Sequence, residues 1–217
     1  MPCLVRPMAK KDIPQVTTID REAFPTMWPP VNFNHELTNR LAHYVVACDG
    51  NKEITDPPPR PAIRLVPVRT FLGIKWPFTP KPGNTDAPPE STEYVSGFVG
   101  LWIMVDEAHI INIAVREACR GHGVGELLLV SGIDTAAKLE ASVVTLEVRA
   151  SNSVAQNLYT KYGFKKVGVR RGYYTDNRED AFIMTTDIIT TDECKRQFQR
   201  LKDNLFQKTE SLDYRVV

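Results

Sequence analysis

The sequence is short of cysteine, of long apolar runs and of charge imbalance. Its four cysteines, Cys3, Cys48, Cys119 and Cys194, are scattered over 217 residues without a CxxC pair. That spacing speaks against a metal centre or a disulfide framework and fits a reducing, cytoplasmic compartment. No apolar stretch approaches the ~18 residues that a membrane-spanning helix needs. The opening MPCLVRPMAKK lacks the apolar core of a secretory signal. Lys and Arg number 27 against 26 Asp and Glu, a net of +1. Nucleic-acid or anionic-membrane binding driven by bulk charge is therefore not expected. With 42% apolar and 24% charged residues, the chain has the composition of one ordinary globular domain.

Proline is unevenly placed. Ten of the sixteen prolines fall between Asp49 and Glu93. Proline fixes φ and removes a backbone donor, so this stretch is neither a regular helix nor a central strand. Its middle, Leu65 to Phe78, is apolar and aromatic. It reads as an insertion with extended ends and a middle lying on the domain surface; a disordered linker is the alternative.

Elsewhere the pattern alternates. Leu4 to Pro7 reads as a strand, Asp12 to Ala23 as a helix with Ile13, Val16 and Ile19 on one stripe, and Phe33, Leu37 and Leu41 as a second short helix. Tyr44 to Cys48 is strand-like. Val95 to Val105 and His109 to Val115 suggest a hairpin. A helix follows the turn at 120–125, then a strand from Val143 to Arg149. Ser153 to Tyr162 reads as a helix with a capping box between Ser153 and Gln156, and Asn152, just before it, as a cap. Phe164 to Tyr174 and Ala181 to Thr186 suggest a last hairpin. A final helix has capping-box spacing at Thr190 and Glu193 and an apolar stripe at Phe198, Leu201 and Leu205. A mixed α/β (α+β) sheet with helices on both faces satisfies this order. The expected organisation is a domain over 1–189, interrupted at 49–93, with a helical extension over 190–217.

The turn Arg120-Gly121-His122-Gly123-Val124-Gly125 lies between a strand and a helix. Glycines allow a tight turn, and the first helical turn offers unpaired N–H donors, so the segment suits a phosphate or pyrophosphate. The spacing is not that of a Walker A loop, since no Gly-Lys-Ser/Thr follows. It is not the dinucleotide fingerprint either, because Glu126 stands where that motif needs glycine.

R-x-x-G-x-G after the Ile113-Ala114-Val115 strand resembles the acetyl-coenzyme A motif of the GCN5-related N-acetyltransferases (GNAT). Leu146 to Asn152 and Asn157 to Phe164, with Tyr173-Tyr174, Glu179 to Ala181, and Phe24-Pro25 to Trp28, are similar to its RimI-type branch of protein N-terminal acetyltransferases. The resemblance covers roughly residues 3–48 and 94–189. It implies the GNAT fold: a mostly antiparallel mixed sheet with a splayed strand pair that holds acetyl-CoA. It implies transfer of acetyl to a protein or peptide N-terminal α-amine, with the N-terminal alanine of a small-subunit ribosomal protein as a target, and no metal. Transfer to another amine, such as a lysine side chain, a polyamine or a small molecule, and non-catalytic acyl-CoA binding stay open.

Residue by residue, alternation along Val143 to Arg149 puts Glu147 opposite the apolar face of Val144, Leu146 and Val148. Its bland reading is a strand glutamate paired with Arg149 or a lysine; the resemblance implies the general base. Tyr159, at the edge of the stripe formed by Ala155, Leu158 and Tyr162, is implied as the acid. The cofactor is implied to lie on Ile113, Ala114, Val115, Arg120, Gly121, His122, Gly123, Val124, Gly125, Glu126 and Asn152. The substrate is implied to meet Phe24, Trp28, Tyr173 and Tyr174. His35, His43 and His109 have no ligand spacing and read as core or surface residues.

Overall fold

The computed structural model describes residues 3–26, 30–53 and 93–208. Strand β1 (Cys3–Pro7) leads through a short 3-10 turn into helix α1 (Ile13–Ala23), which tolerates Pro14 in its first turn. Next come α2 (Phe33–Glu36), β2 (Ala42–Glu53), β3 (Glu93–Met104) and β4 (Glu107–Val115). Helix α3 (Val124–Lys138), β5 (Val143–Arg149), α4 (Ser153–Lys161), β6 (Lys165–Tyr174), β7 (Glu179–Thr185) and α5 (Asp192–Lys208) complete the order.

The seven strands form one open sheet in the order β1-β2-β3-β4-β5-β7-β6. Every neighbouring pair is antiparallel except β4–β5. A parallel pair needs a crossover, and α3 supplies it. Helices cover both faces, as the alternation predicts. On one face Leu127, Leu128, Val130 and Ile133 of α3 pack on Val99, Leu101, Ile110, Val144 and Leu146, joined by Tyr159, Phe164 and Leu205. On the other, Val16 and Ile19 of α1 and Phe33 of α2 pack on Tyr44, Val46 and Phe98. Gly97 is required where β3 meets β4, because a Cβ there would sit 2.6 Å from the Ala114 carbonyl oxygen.

Several local expectations are corrected. The second helix is a single turn, and Leu41 lies outside it with half its surface exposed. Strand β2 runs to Glu53 and β3 begins at Glu93, so the ends of the proline-rich segment are extended, as expected; its middle, including Leu65 to Phe78, lies outside the described residues. The Ser153–Gln156 capping box of α4 does not form, since Gln156 donates to the carbonyls of Arg149 and Ala150; Asn152 is the cap, as expected, its Oδ1 accepting from Ala155 N–H at 3.1 Å. The hydroxyl of Thr191, not Thr190, accepts from Cys194 N–H at the start of α5. This shift is by one residue, which spacing cannot resolve. Helix α5 docks on the domain through Leu205 and through the Lys202–Asp134 ion pair to α3. Among the described residues no helix is long and apolar enough to cross a membrane.

Candidate active site

The site begins where the sheet opens. β4 pairs with β5 only from Glu107↔Val143 to Ile110↔Leu146, yet β4 continues to Val115 and β5 to Arg149. The cause lies in β4. Gly100 pairs with Asn112 and Leu101 with Ile110, so Ile111 is an extra residue. Such a bulge bends its strand, and pairing with β5 ends one residue before it. Beyond it, Arg116 N–H donates to the Ser96 carbonyl at 2.9 Å. Antiparallel alternation then turns the peptide groups of Ala114 towards β3 and leaves those of Ile113 and Val115 on the open edge. The expected trio is thus divided: Ala114 adds a buried side chain, and its neighbours add backbone N–H groups on the edge that β5 leaves unpaired.

The glycine turn lies at the end of this edge. Gly121 and Gly123 have φ of +76° and +82°, the left-handed region that side chains disfavour, and a Cβ on either would meet nothing within 4 Å. Gly123 is the N-cap of α3 and has no capping side chain, so the cap leaves the first-turn N–H groups unoccupied beside open space. Val124 anchors the turn in the core, while His122 is exposed. Arg120 donates through Nε to the Val115 carbonyl at 3.2 Å, which fixes the start of the turn. Glu126 does not project a lone negative charge. Its Oε1 accepts from Tyr162 Oη at 2.7 Å and pairs with Lys161, tying α3 to the end of α4.

Glu147 stands at the mouth of the gap with 9% of its side chain exposed. Its Oε2 accepts from His109 Nε2 at 2.6 Å, and its Oε1 lies 3.0 Å from Arg170 Nη2. The His109 hydrogen bond holds the carboxyl below the usual range; burial opposes this, and the Arg170 charge reinforces it. The partners are not those of the bland reading. Arg149 is taken by Asp176 at 2.8 Å and Glu179 at 3.2 Å, and its guanidinium lies 3.8 Å from the Tyr174 ring centre. His109, expected as a core or surface residue, is partly buried and is the hydrogen-bond partner of Glu147. The signal that could have found it is register: His109 pairs with Thr145, two residues before Glu147, in the last stretch of the parallel ladder.

Tyr159 is 6% exposed and packs beside Phe164 in the main core, so it belongs to the buried stripe rather than to its edge. Burial raises its phenol well above the usual value, and the neighbouring Tyr174 raises it further. Tyr174 is pushed up to about 12, first by burial, and the Glu147 charge is among the causes. Tyr173 is also raised by burial and by Glu147. The two adjacent rings meet edge to face at 5.2 Å. Tyr159, Tyr174, Tyr173 and Glu147 are therefore neighbours electrostatically. Phe24 packs with the α1–α2 core, and Thr26 Oγ1 donates to Asp176 Oδ2 at 3.1 Å, joining the loop after α1 to the β6–β7 turn across the site. Trp28 lies outside the described residues. Two cavities, of about 360 and 240 Å³, lie between α3 and the β1–β2 edge and between α3 and α5; neither is lined by Glu147 or the glycine turn. Among the described residues no cluster of His, Cys, Asp and Glu is suited to a metal ion.

Residues 79–164 match the model of the acetyltransferase (GNAT) family. A Bacillus subtilis protein named putative [ribosomal protein bS18]-alanine N-acetyltransferase is 33% identical over 185 residues, 85% of this chain and 95% of that protein. An N-alpha-acetyltransferase of Sulfurisphaera tokodaii is 32% identical over 178 residues, 82% of this chain and 88% of its own length. In fold, the chain is similar to the crystal structure of the ribosomal-protein-S18-alanine N-acetyltransferase from Escherichia coli. That match has a TM-score of 0.58 and 24% identity, and covers 88% of this chain and 97% of the other.

Proposed function

The chain belongs to the GNAT family of N-acetyltransferases, in its RimI-type branch, and on that premise we propose that it acetylates protein N-terminal α-amines, ribosomal proteins among them. The observation that carries the reading is the position of Glu147: a largely buried carboxylate on the first residue of β5 beyond its pairing with β4, where β4 runs on unpaired to Val115.

The residues present fit acetyl-CoA. Gly121, Gly123 and the first turn of α3 offer N–H donors and room for a pyrophosphate. The free edge of β4 and the side chain of Asn152 suit an amide-bearing arm. The co-substrate supplies an acetyl thioester, whose carbonyl is the electrophile.

Glu147 serves as base for the amine. An α-ammonium has a pKa of about 8 and a lysine ammonium about 10.4, against about 4.3 for an ordinary glutamate. Proton transfer before attack is uphill by about 4 units for the first and about 6 for the second. The His109 hydrogen bond, by lowering Glu147, widens both gaps. The carboxylate therefore holds the amine and accepts its proton as the N–C bond forms, when the nitrogen becomes strongly acidic. An α-amine, already about one-tenth neutral at pH 7, suits such a weak base far better than lysine. The N–H groups of Ile113 and Val115 support the charge that develops on the carbonyl oxygen. Tyr159, whose phenol keeps its proton at neutral pH, is the acid that meets the departing sulfur as the C–S bond breaks.

The test is mass spectrometry of two peptides incubated with acetyl-CoA. One has a free α-amine and no lysine; the other has a blocked N-terminus and a free lysine. Acetylation of the first alone is expected. Acetylation of the second alone would overturn the α-amine assignment, and modification of neither would overturn the transfer itself.

A further inference from the structure

Strand β4 changes face half-way. Ala108 and Ile110 lie in the core under α3, whereas Ala114, four residues after Ile110, lies in the core under α1. In a regular strand an even step keeps a side chain on its own face. The extra residue Ile111 therefore reverses the pleat. Ile111 itself packs against the α1-side core, and Ile113 and Val115 pack against the α3-side core.

Asn112 is the first residue after the reversal. It meets α1, where Asp20 accepts a hydrogen bond from it. Asp20 and Asn112 are only 4% and 6% exposed. Asn112 pairs with Gly100, and a Cβ on Gly100 would sit 2.4 Å from Asn112 Oδ1 and 2.4 Å from the Tyr44 ring. The bare glycine thus makes the space that the amide fills.

The pair is a poor source of stability. Among the described residues nothing donates to Asp20 Oδ1 or to Asn112 Oδ1, and a buried acceptor without a donor costs free energy. What the pair supplies is a choice of register. Without the bulge, Asn112 would continue the face of Ala108 and Ile110 and enter the apolar core under α3, where an unpaired amide is disfavoured. Only the bulged register brings it to Asp20. The open edge depends on the same register, because β4–β5 pairing ends at Ile110, one residue before the bulge, and Ile113 and Val115 lie beyond it.

We propose that Asp20 and Asn112 are positioning residues that lock β4 in its bulged register and so hold open the strand edge that receives acetyl-CoA. The inference rests on the reading of that edge as the acetyl-CoA site and names what keeps it open. Buried polar groups specify register in this way, at the expense of stability, in coiled coils. Asp20 and Asn112 act through the N–H groups of Ile113 and Val115, not on the reacting atoms.

The experiment replaces the pair by apolar side chains, Asp20→Leu together with Asn112→Leu. Beside it stands the conservative Asp20→Asn, which keeps a side-chain oxygen to accept from Asn112. Thermal melts, calorimetric affinity for CoA, kcat, and hydrogen exchange of the Ile113 and Val115 amides in the ligand-free protein are compared with wild type. The double variant is expected to melt no lower than wild type. It should nevertheless bind CoA about fivefold or more weakly and lose about tenfold or more in kcat. Its Ile113 and Val115 amides should exchange more slowly, as β4 pairs further along β5. Asp20→Asn should keep CoA affinity and exchange within about twofold of wild type, since the lock survives. Gly100→Ala reaches the lock from β3, by pushing Asn112 aside, and should weaken CoA binding with Asp20 intact. A double variant with wild-type CoA affinity and unchanged exchange overturns the inference. So does a loss of equal size in Asp20→Asn, which would assign the effect to charge. If wild type binds CoA and every variant binds alike, this inference alone falls; if wild type binds no CoA, the acetyl-CoA reading falls with it.

Discussion

His109 and Glu147 are brought within 2.6 Å by the last rungs of the sheet's parallel ladder. They lie 38 residues apart in the chain. An ionised carboxylate only accepts, so His109 Nε2 carries the hydrogen, and its other ring nitrogen faces away from the pair. The contact fixes one oxygen of Glu147 and leaves the other for chemistry. It also makes the glutamate a more persistent anion, because protonating it breaks a hydrogen bond to a partly buried ring.

Glu147→Gln keeps the shape and removes the proton acceptor. Its kcat should fall by at least about tenfold, within the usual range of general-base contributions, while the melting temperature stays near that of wild type. Steady-state kinetics beside a thermal melt is the check; unchanged turnover would take Glu147 out of the mechanism.

His109→Ala should move the acid limb of the kcat/KM profile to higher pH. The reason is the sign of the shift: His109 lowers the Glu147 pKa, so its loss lets the carboxyl rise towards the ordinary ~4.3 and protonate sooner as pH falls. A drop in kcat of about tenfold should accompany it, from lost orientation of the base. An acid limb that does not move would confine His109 to packing.

Tyr159→Phe retains the ring that packs on Phe164 and removes only the hydroxyl. Affinity for CoA, read by calorimetry, should change little, while kcat falls by about tenfold or more. Equal rates would assign Tyr159 to the core alone.

Asp20→Asn should stabilise the fold in a pH-dependent way. Burial raises the Asp20 pKa from 3.8 to about 6, against an opposing hydrogen bond from Asn112. Its Oδ1 and the Asn112 Oδ1 are both buried without a hydrogen-bond partner. The ionised carboxylate is thus disfavoured in the folded state. Wild-type stability falls as pH rises from about 4 through about 6 and is lowest, on this account, above that. The variant should gain about 2–3 kcal/mol at pH 8 and almost nothing at pH 4. Urea denaturation at the two values checks this; an equal gain at both would show that charge is not the cause.

The local features were legible from residue types. Glycines at 121 and 123 marked a tight turn before a helix; both have positive φ, and α3 follows them. Alternation along Val143–Arg149 placed Glu147 off the apolar face, and Val144, Leu146 and Val148 are buried as expected. Asn152 caps α4 as its side chain suggests, whereas the cap of α5 is Thr191 and not Thr190, since two adjacent threonines compete on equal terms for the same N–H groups. Tyr159 was placed one step too near the surface, because a stripe drawn on one helix does not know that Phe164 folds back against it.

Residue types carry short-range information: which segments turn, which faces are apolar, and which side chains have the chemistry for acyl transfer. Their partners come from the fold. The Ile111 bulge, the end of β4–β5 pairing at Ile110, and the meeting of His109 and Arg170 with Glu147 all depend on strand register. Register is set by the packing of both sheet faces at once, so residues far apart in sequence become neighbours for reasons that no single stretch contains.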